Sequence, residues 1–218
     1  MKAFFNLAVI LFATSCLHAQ VNNLQFPDQW WAPVPEAEVH GWEIPPQAAD
    51  RSKNEVILSK RTELGQFSNL ADVGFEMDGI KYKSIEGLWQ GMKYPESKND
   101  PRLDPSVKWD YTREQVYQLS SFEAKKAGES ANANMKKLGI KYITYLGQKI
   151  EYNGADIERH YQIILQASRN KIEQNPSLKD LLRSTKTLVF KPDHKQQPNP
   201  NPAYLYHEIY MKIRKEIF

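Results

Sequence analysis

Residues 67–95 read FSNLADVGFEMDGIKYKSIEGLWQGMKYP, and this stretch decides the fold. GFEMDGIKYK alternates in polarity around Asp78-Gly79, a pair that favours a two-residue hairpin turn. Ser84 follows as a helix N-cap. The 100° step of a helix then puts Ile85, Leu88 and Met92 on one stripe, expected to face the core. Glu86, Gln90 and Lys93 fall on the adjacent flank, and Trp89 lies between flank and stripe. A first-turn carboxylate is favoured by the helix dipole, so spacing alone supports an ordinary structural role for Glu86.

Outward from this block the chain reads mainly as helix. EVILSK suits a strand. TREQVYQL opens on Thr112 with Gln115 three residues on, a capping-box signature. FEAKKAGESANANMKKLG is helical but weak, interrupted by small residues and stopped by Gly139. ADIERHYQIILQASRNKIEQ is a long amphipathic helix with Ile157, Tyr161, Ile164, Leu165 and Ser168 at helical spacing. NPSLKDLLRS starts with Asn175 as cap and Pro176 at the first helical position. A short strand TLVF, a proline-asparagine loop and a closing helix AYLYHEIYMKIRKEI complete the chain. The expected class is α+β, mostly α-helical, with a small antiparallel sheet.

Upstream, FPDQWWAPVPEAEVHGWEIPPQAAD holds five prolines and three tryptophans. That proline density excludes helix and sheet interiors, so residues 20–54 read as an arm. Trp30, Trp31 and Trp42 are expected to pack it onto the domain at 55–218, with carbohydrate stacking as the rival use. MKAFFNLAVILFATSCLHAQ has Lys2 before an apolar run and small residues after it, the pattern of a signal peptide over 1–19, cleaved before Gln20. Cys16 after small residues offers the alternative of a lipoprotein box. Either way the expectation is export, to periplasm or medium, without a transmembrane span.

The chain has 218 residues, 25% charged and 41% hydrophobic, ordinary for a globular protein. A net charge of +3, with the basic residues dispersed, marks no nucleic-acid patch. Cys16 is the only cysteine, so a mature chain lacks disulfides, a thiolate nucleophile and Cys-ligated metal. His160 and His207 share no ligand spacing and read as packed or surface groups. His194 reads as a loop residue or a helper to Asp193. No metal and no cofactor is expected.

FSNL…DGIKYKSIEGLWQGMKY resembles the opening of the NADAR, or YbiA-like, family. That family carries a Phe-Ser-Asn turn, an Asp-Gly hairpin and a Ser-x-Glu-His-x-x-Gln-x-x-Lys helix. Phe67, Ser68, Asn69, Asp78, Gly79, Ser84, Glu86, Gln90 and Lys93 stand in that register. ILQASRNKIEQNPSLKDLLRSTKTLVF is similar to the family's long helix, Asn-Pro-x-Leu helix and following strand, so the resemblance spans 55–218. Departures are Gly87 for the family's histidine and Lys191-Pro192 for tryptophan and glycine before Asp193. A middle-helix arginine is also missing, and Glu129 stands near its place.

The resemblance implies hydrolysis of a C–N glycosidic bond in a phosphorylated ribosylamine or an ADP-ribosyl nucleoside-like substrate. It implies Glu86 and Asp193 as a catalytic pair sharing a cleft, with carboxyls within about 10 Å. Lys93 would hold a phosphate, Trp89 would stack on base or ribose, and Phe67, Ser68, Asn69 and Gln90 would complete the substrate contacts. The alternatives are a catalytically silent ADP-ribose/NAD-type binding module of the cell envelope, and an interaction protein that binds through the Trp-Pro arm.

Overall fold

The computed structural model describes residues 26–218. The expected leader, Cys16 and the start at Gln20 lie outside the described residues. The strands are β1 (Glu55–Ile57), β2 (Phe75–Met77), β3 (Ile80–Tyr82), β4 (Ile143–Tyr145), β5 (Gln148–Ile150) and β6 (Val189–Lys191). The helices are α1 (Ile85–Gly91), α2 (Arg113–Tyr117), α3 (Ser121–Lys137), α4 (Ile157–Glu173), α5 (Pro176–Ser184) and α6 (Tyr206–Ile217). The class is α+β, with helices around three two-stranded ladders.

The β2–β3 hairpin turns at Asp78-Gly79 as the sequence expects, with φ of 53° and 75°. β4–β5 is a second antiparallel hairpin, turning on Leu146-Gly147. The third ladder departs from the antiparallel expectation: β1 runs parallel to β6, with Val56 opposite Phe190. Parallel pairing needs a long crossover, and here nearly the whole domain supplies it.

α1 is the pivot. Ser84 Oγ accepts the Gly87 N–H at 2.8 Å and donates to Leu119 O at 2.8 Å, so the cap also fastens α1 to the chain beyond α2. Ile85, Leu88 and Met92 are fully buried, as their stripe requires. At the far end of α1, buried Arg102 donates to Met92 O at 3.0 Å and buried Arg113 to Tyr94 O at 3.1 Å, which satisfies carbonyls that a helix end leaves open.

α2 has its capping box, Thr112 with Gln115. α3 runs unbroken where a weak, interrupted helix was expected. Its small residues, Ala124, Ala127, Gly128 and Ala131, are its buried face, and they let α1 approach closely. In α4 the buried face includes His160, Ala167, Lys171 and Ile172 as well as Ile164, Leu165 and Ser168, whereas Ile157 is exposed. The predicted stripe was rotated towards the helix's own polar residues.

The arm is a string of 3-10 turns. Trp30 and Trp31 are buried, with indole N–H groups donating to Glu63 Oε1 at 2.7 Å and Glu55 O at 2.8 Å. Trp42 is not buried: it stays 43% exposed, with the Lys60 ammonium 5.2 Å from its ring centre. No helix of the described residues is long and apolar enough to cross a membrane.

Candidate functional site

A cavity of about 650 Å³ opens beside α1. Ser68, Asn69, Glu86, Trp89, Gln90 and Lys93 all line it. Two residues of the expected set do not. Phe67 is a core residue, stacked on Phe190 at 5.8 Å and tilted against Tyr210 at 5.1 Å, with no exposed surface. Asp193 is 2% exposed and does not line the cavity, and its oxygens are already engaged. Oδ1 accepts from His194 Nδ1 at 2.8 Å and Tyr206 Oη at 2.9 Å, and Oδ2 is paired with Lys60. His194, not Asp193, reaches the cavity surface.

The turn and the helix are built as one unit. Asn69 O accepts the Glu86 N–H at 2.9 Å, so the Phe-Ser-Asn turn covers the N-terminus of α1. The turn in turn rests on Lys171, fully buried in α4, whose ammonium donates to Gln66 O at 2.6 Å and Ser68 O at 3.0 Å. Burial pulls the Lys171 pKa down to about 7. The unfolded chain therefore holds the extra proton between about pH 7 and 10.5, and stability rises with pH across that window, by up to about 1.4 kcal/mol per unit. Lys171→Met removes the titration. The wild type is expected to gain on the variant as pH climbs from 7 to 10, read from urea midpoints. Parallel curves would show a lysine that stays charged.

Glu86 Oε1 accepts from Gln90 Nε2 at 2.7 Å. This fixes the Gln90 amide and leaves its carbonyl buried without a partner among the described residues. Gln90 lies so close to Gly128 that an added Cβ there would fall 1.8 Å from Gln90 Oε1. The glycine in α3 is thus what admits this glutamine. Glu86 keeps part of its surface at the cavity, yet desolvation dominates and raises its pKa against the opposing pulls of Gln90 and Lys93. An ordinary first-turn acid would shift the other way.

Lys93 is 4% exposed and burial draws it down to about 8, with the Glu86 charge opposing. Its ammonium lies 4.6 Å from the Trp89 ring centre. His160 lies tilted against the same indole at 4.4 Å, and Tyr152 and Tyr204 approach it at 5.1 and 5.8 Å. Trp89 is 9% exposed, with little ring surface left for a ligand. Phe122 and Trp42, 59% and 43% exposed, are open aromatics at the rim, and Trp42 lies parallel to His40 at 5.6 Å. The arm reaches the site through it: Ile44 N–H donates to Asp193 O at 2.7 Å, and Glu43 pairs with Arg61 at 2.6 and 2.8 Å.

Lys60, Lys125 and Glu129 add exposed charge around the opening. Sequence reasoning did not find Lys60, Lys125, Tyr152, Tyr204 or His160 as cavity residues. Only the helical spacing of His160 to Ile164 carried a signal, and it pointed to packing. Among the described residues no group of three His, Cys, Asp or Glu side chains could hold a metal ion.

The sequence matches no protein-family model and no curated protein. Among solved structures it is similar to the NMR structure of the E. coli protein YbiA, at 17% identity, over 73% of this chain and 81% of that one, with a TM-score of 0.42.

Proposed function

We propose that the cavity hydrolyses the C–N glycosidic bond of a phosphorylated ribosylamine or an ADP-ribosyl nucleoside-like substrate, as a divergent member of the NADAR family. The observation that carries this reading is Glu86: a desolvated carboxyl with a raised pKa, on the wall of an aromatic cavity, held by Gln90 and facing Lys93.

A carboxyl whose pKa is raised by desolvation holds its proton to higher pH than a free one and can give it to a leaving nitrogen. In this reading Glu86 protonates the base as the C–N bond breaks, and the oxocarbenium-like carbon is captured by water. His194 takes the proton of that water once the Gln196 amide, which donates to its Nε2 at 3.0 Å, has given way. Asp193 accepts from His194 Nδ1 at 2.8 Å, which puts the ring proton on Nδ1 and leaves Nε2 as the acceptor, contacted by the Gln196 amide at 3.0 Å. Asp193 thus serves as a positioning group rather than as the second acid of the pair. The C–O bond forms at the anomeric carbon as the C–N bond breaks, and protons returned through solvent reset both groups. Lys125, exposed at the rim, suits phosphates better than Lys93, whose charge is opposed by burial, or Lys60, which is already paired with Asp193.

Incubating the purified chain with an ADP-ribosylated guanosine and with a ribosylaminopyrimidine phosphate tests this by chromatography of released base. Release from either supports the reading. Tight binding of both without release selects the silent binding module, which the lost family arginine and the engaged Asp193 favour. Export belongs to the same proposal, and N-terminal sequencing of the native protein should begin near Gln20; an intact Met1 contradicts it.

A further inference from the structure

The hydrogen-bonding state of His160 follows atom by atom from its neighbours. Ala203 N–H donates to Asn201 Oδ1 at 2.9 Å, which sets the direction of that amide. Asn201 Nδ2 therefore faces Tyr152 O at 2.6 Å and His160 Nδ1 at 3.3 Å. An amide NH₂ has only hydrogens to offer, so Nδ1 is the bare, accepting nitrogen. Burial keeps the ring neutral, its pKa drawn down to about 3 with the Lys93 charge helping. The one ring proton then sits on Nε2. His160 is fully buried on the cavity wall, and Nε2 has no hydrogen-bond partner among the described residues. Buried donors are almost always paired, so this one is reserved for something the protein itself does not supply.

We propose that the aromatic end of the cavity is a subsite for a planar heterocycle whose carbonyl oxygen accepts the His160 Nε2 hydrogen. Tyr152 and Tyr204 meet the His160 ring edge-on and Trp89 lies tilted against it, so the donor sits among apolar rings. A neutral donor among such rings suits a neutral acceptor, because a phosphate carried there would lose its water for one uncharged hydrogen bond. Charged parts of the ligand fit the rim, where Lys125 stands exposed. His160 is then a specificity residue and takes no part in bond breaking.

The inference deepens the glycosidase reading, since it uses the same cavity, but its test needs no turnover. The probes are inosine monophosphate and adenosine monophosphate, which present a ring carbonyl and an amino group at the same position. Calorimetric titration of the full chain should show the carbonyl probe binding roughly tenfold or more tightly, the scale of one buried hydrogen bond gained against a donor left unpaired. His160→Phe keeps a ring in place but takes the acceptor from Asn201 Nδ2, so its melting temperature should fall while it binds the two probes alike. Nitrogen NMR of the wild-type histidines should place the His160 proton on Nε2 and show that signal moving when the carbonyl probe is added. Equal binding of the two probes, no binding of either at millimolar concentration, or a proton on Nδ1 would overturn the proposal. If His160→Phe fails to fold, the wild-type spectra decide. Base release absent while the discrimination persists would remove the glycosidase reading and leave this one standing.

Discussion

Glu86→Gln should lower base release by a factor on the order of 100 or more, the scale of losing a positioned acid–base group. Its melting temperature should hold or rise. The sign follows from linkage: the folded-state pKa is raised, so the carboxylate is disfavoured in the native state and stability falls as pH climbs through the window above 4.5. A neutral amide removes that penalty. Gln90 can still reach the new side chain, because the contact at 2.7 Å needs only an oxygen acceptor. If Glu86 were an ordinary first-turn acid, the same substitution would cost about 0.3–1 kcal/mol of stability and leave turnover alone. The two readings therefore move two measurements in opposite directions. A lowered melting temperature with intact turnover returns Glu86 to a structural role.

The second large effect is expected at Gly87, where the resembled family carries histidine. A Cβ at this position would meet Leu119 O at 2.6 Å, Val116 O at 2.9 Å and Tyr117 O at 3.1 Å. All three obstacles are backbone carbonyls that belong to α2 and its end, and backbone cannot step aside as a flexible side chain can. Gly91, one turn on, has the same relation to the ring of Tyr117, at 2.4 Å. The two glycines let α2 lie against α1. Gly87→His, which introduces the histidine of the resembled family, should thus destabilise the fold by about 3 kcal/mol or more, the upper range for overpacking a core. Urea denaturation measures it, and a variant as stable as the wild type would show that α2 can move away. The departure from the family pattern at position 87 is therefore a matter of helix packing. It says nothing by itself about activity.

Much of the pivot was legible because its signals are local. Asp78-Gly79 announced its turn, Ser84 its cap, Thr112 with Gln115 its box, and Ile85, Leu88 and Met92 their face. Each depends on neighbours within one turn of chain. Leu146 shows the limit: it adopts a φ of 47° in the β4–β5 turn, a conformation its side chain does not advertise. The β1–β6 pair was hidden for another reason, since its partners come from opposite ends of the domain.

The candidate site divides along the same line. Glu86, Gln90 and Lys93 share a helix flank, so spacing placed them together. Asp193 could be matched by its motif, but only the fold shows Lys60, His194 and Tyr206 converging on its oxygens. Trp42 illustrates the converse: three tryptophans in one arm look alike in sequence, yet two are anchored by indole N–H bonds to β1 and Glu63 and the third is not. His160 needed Asn201 and Ala203, more than forty positions away, to settle which nitrogen is bare.

The most direct test is the titration of Glu86 itself by carbon NMR of the side-chain carboxyls, assigned through Glu86→Gln. A working acid on the cavity wall should titrate above the ordinary value of 4.5, and its signal should respond when ADP-ribose is added. A Glu86 that titrates at or below 4.5, as the dipole of α1 alone would dictate, and that ignores the ligand, would contradict the account.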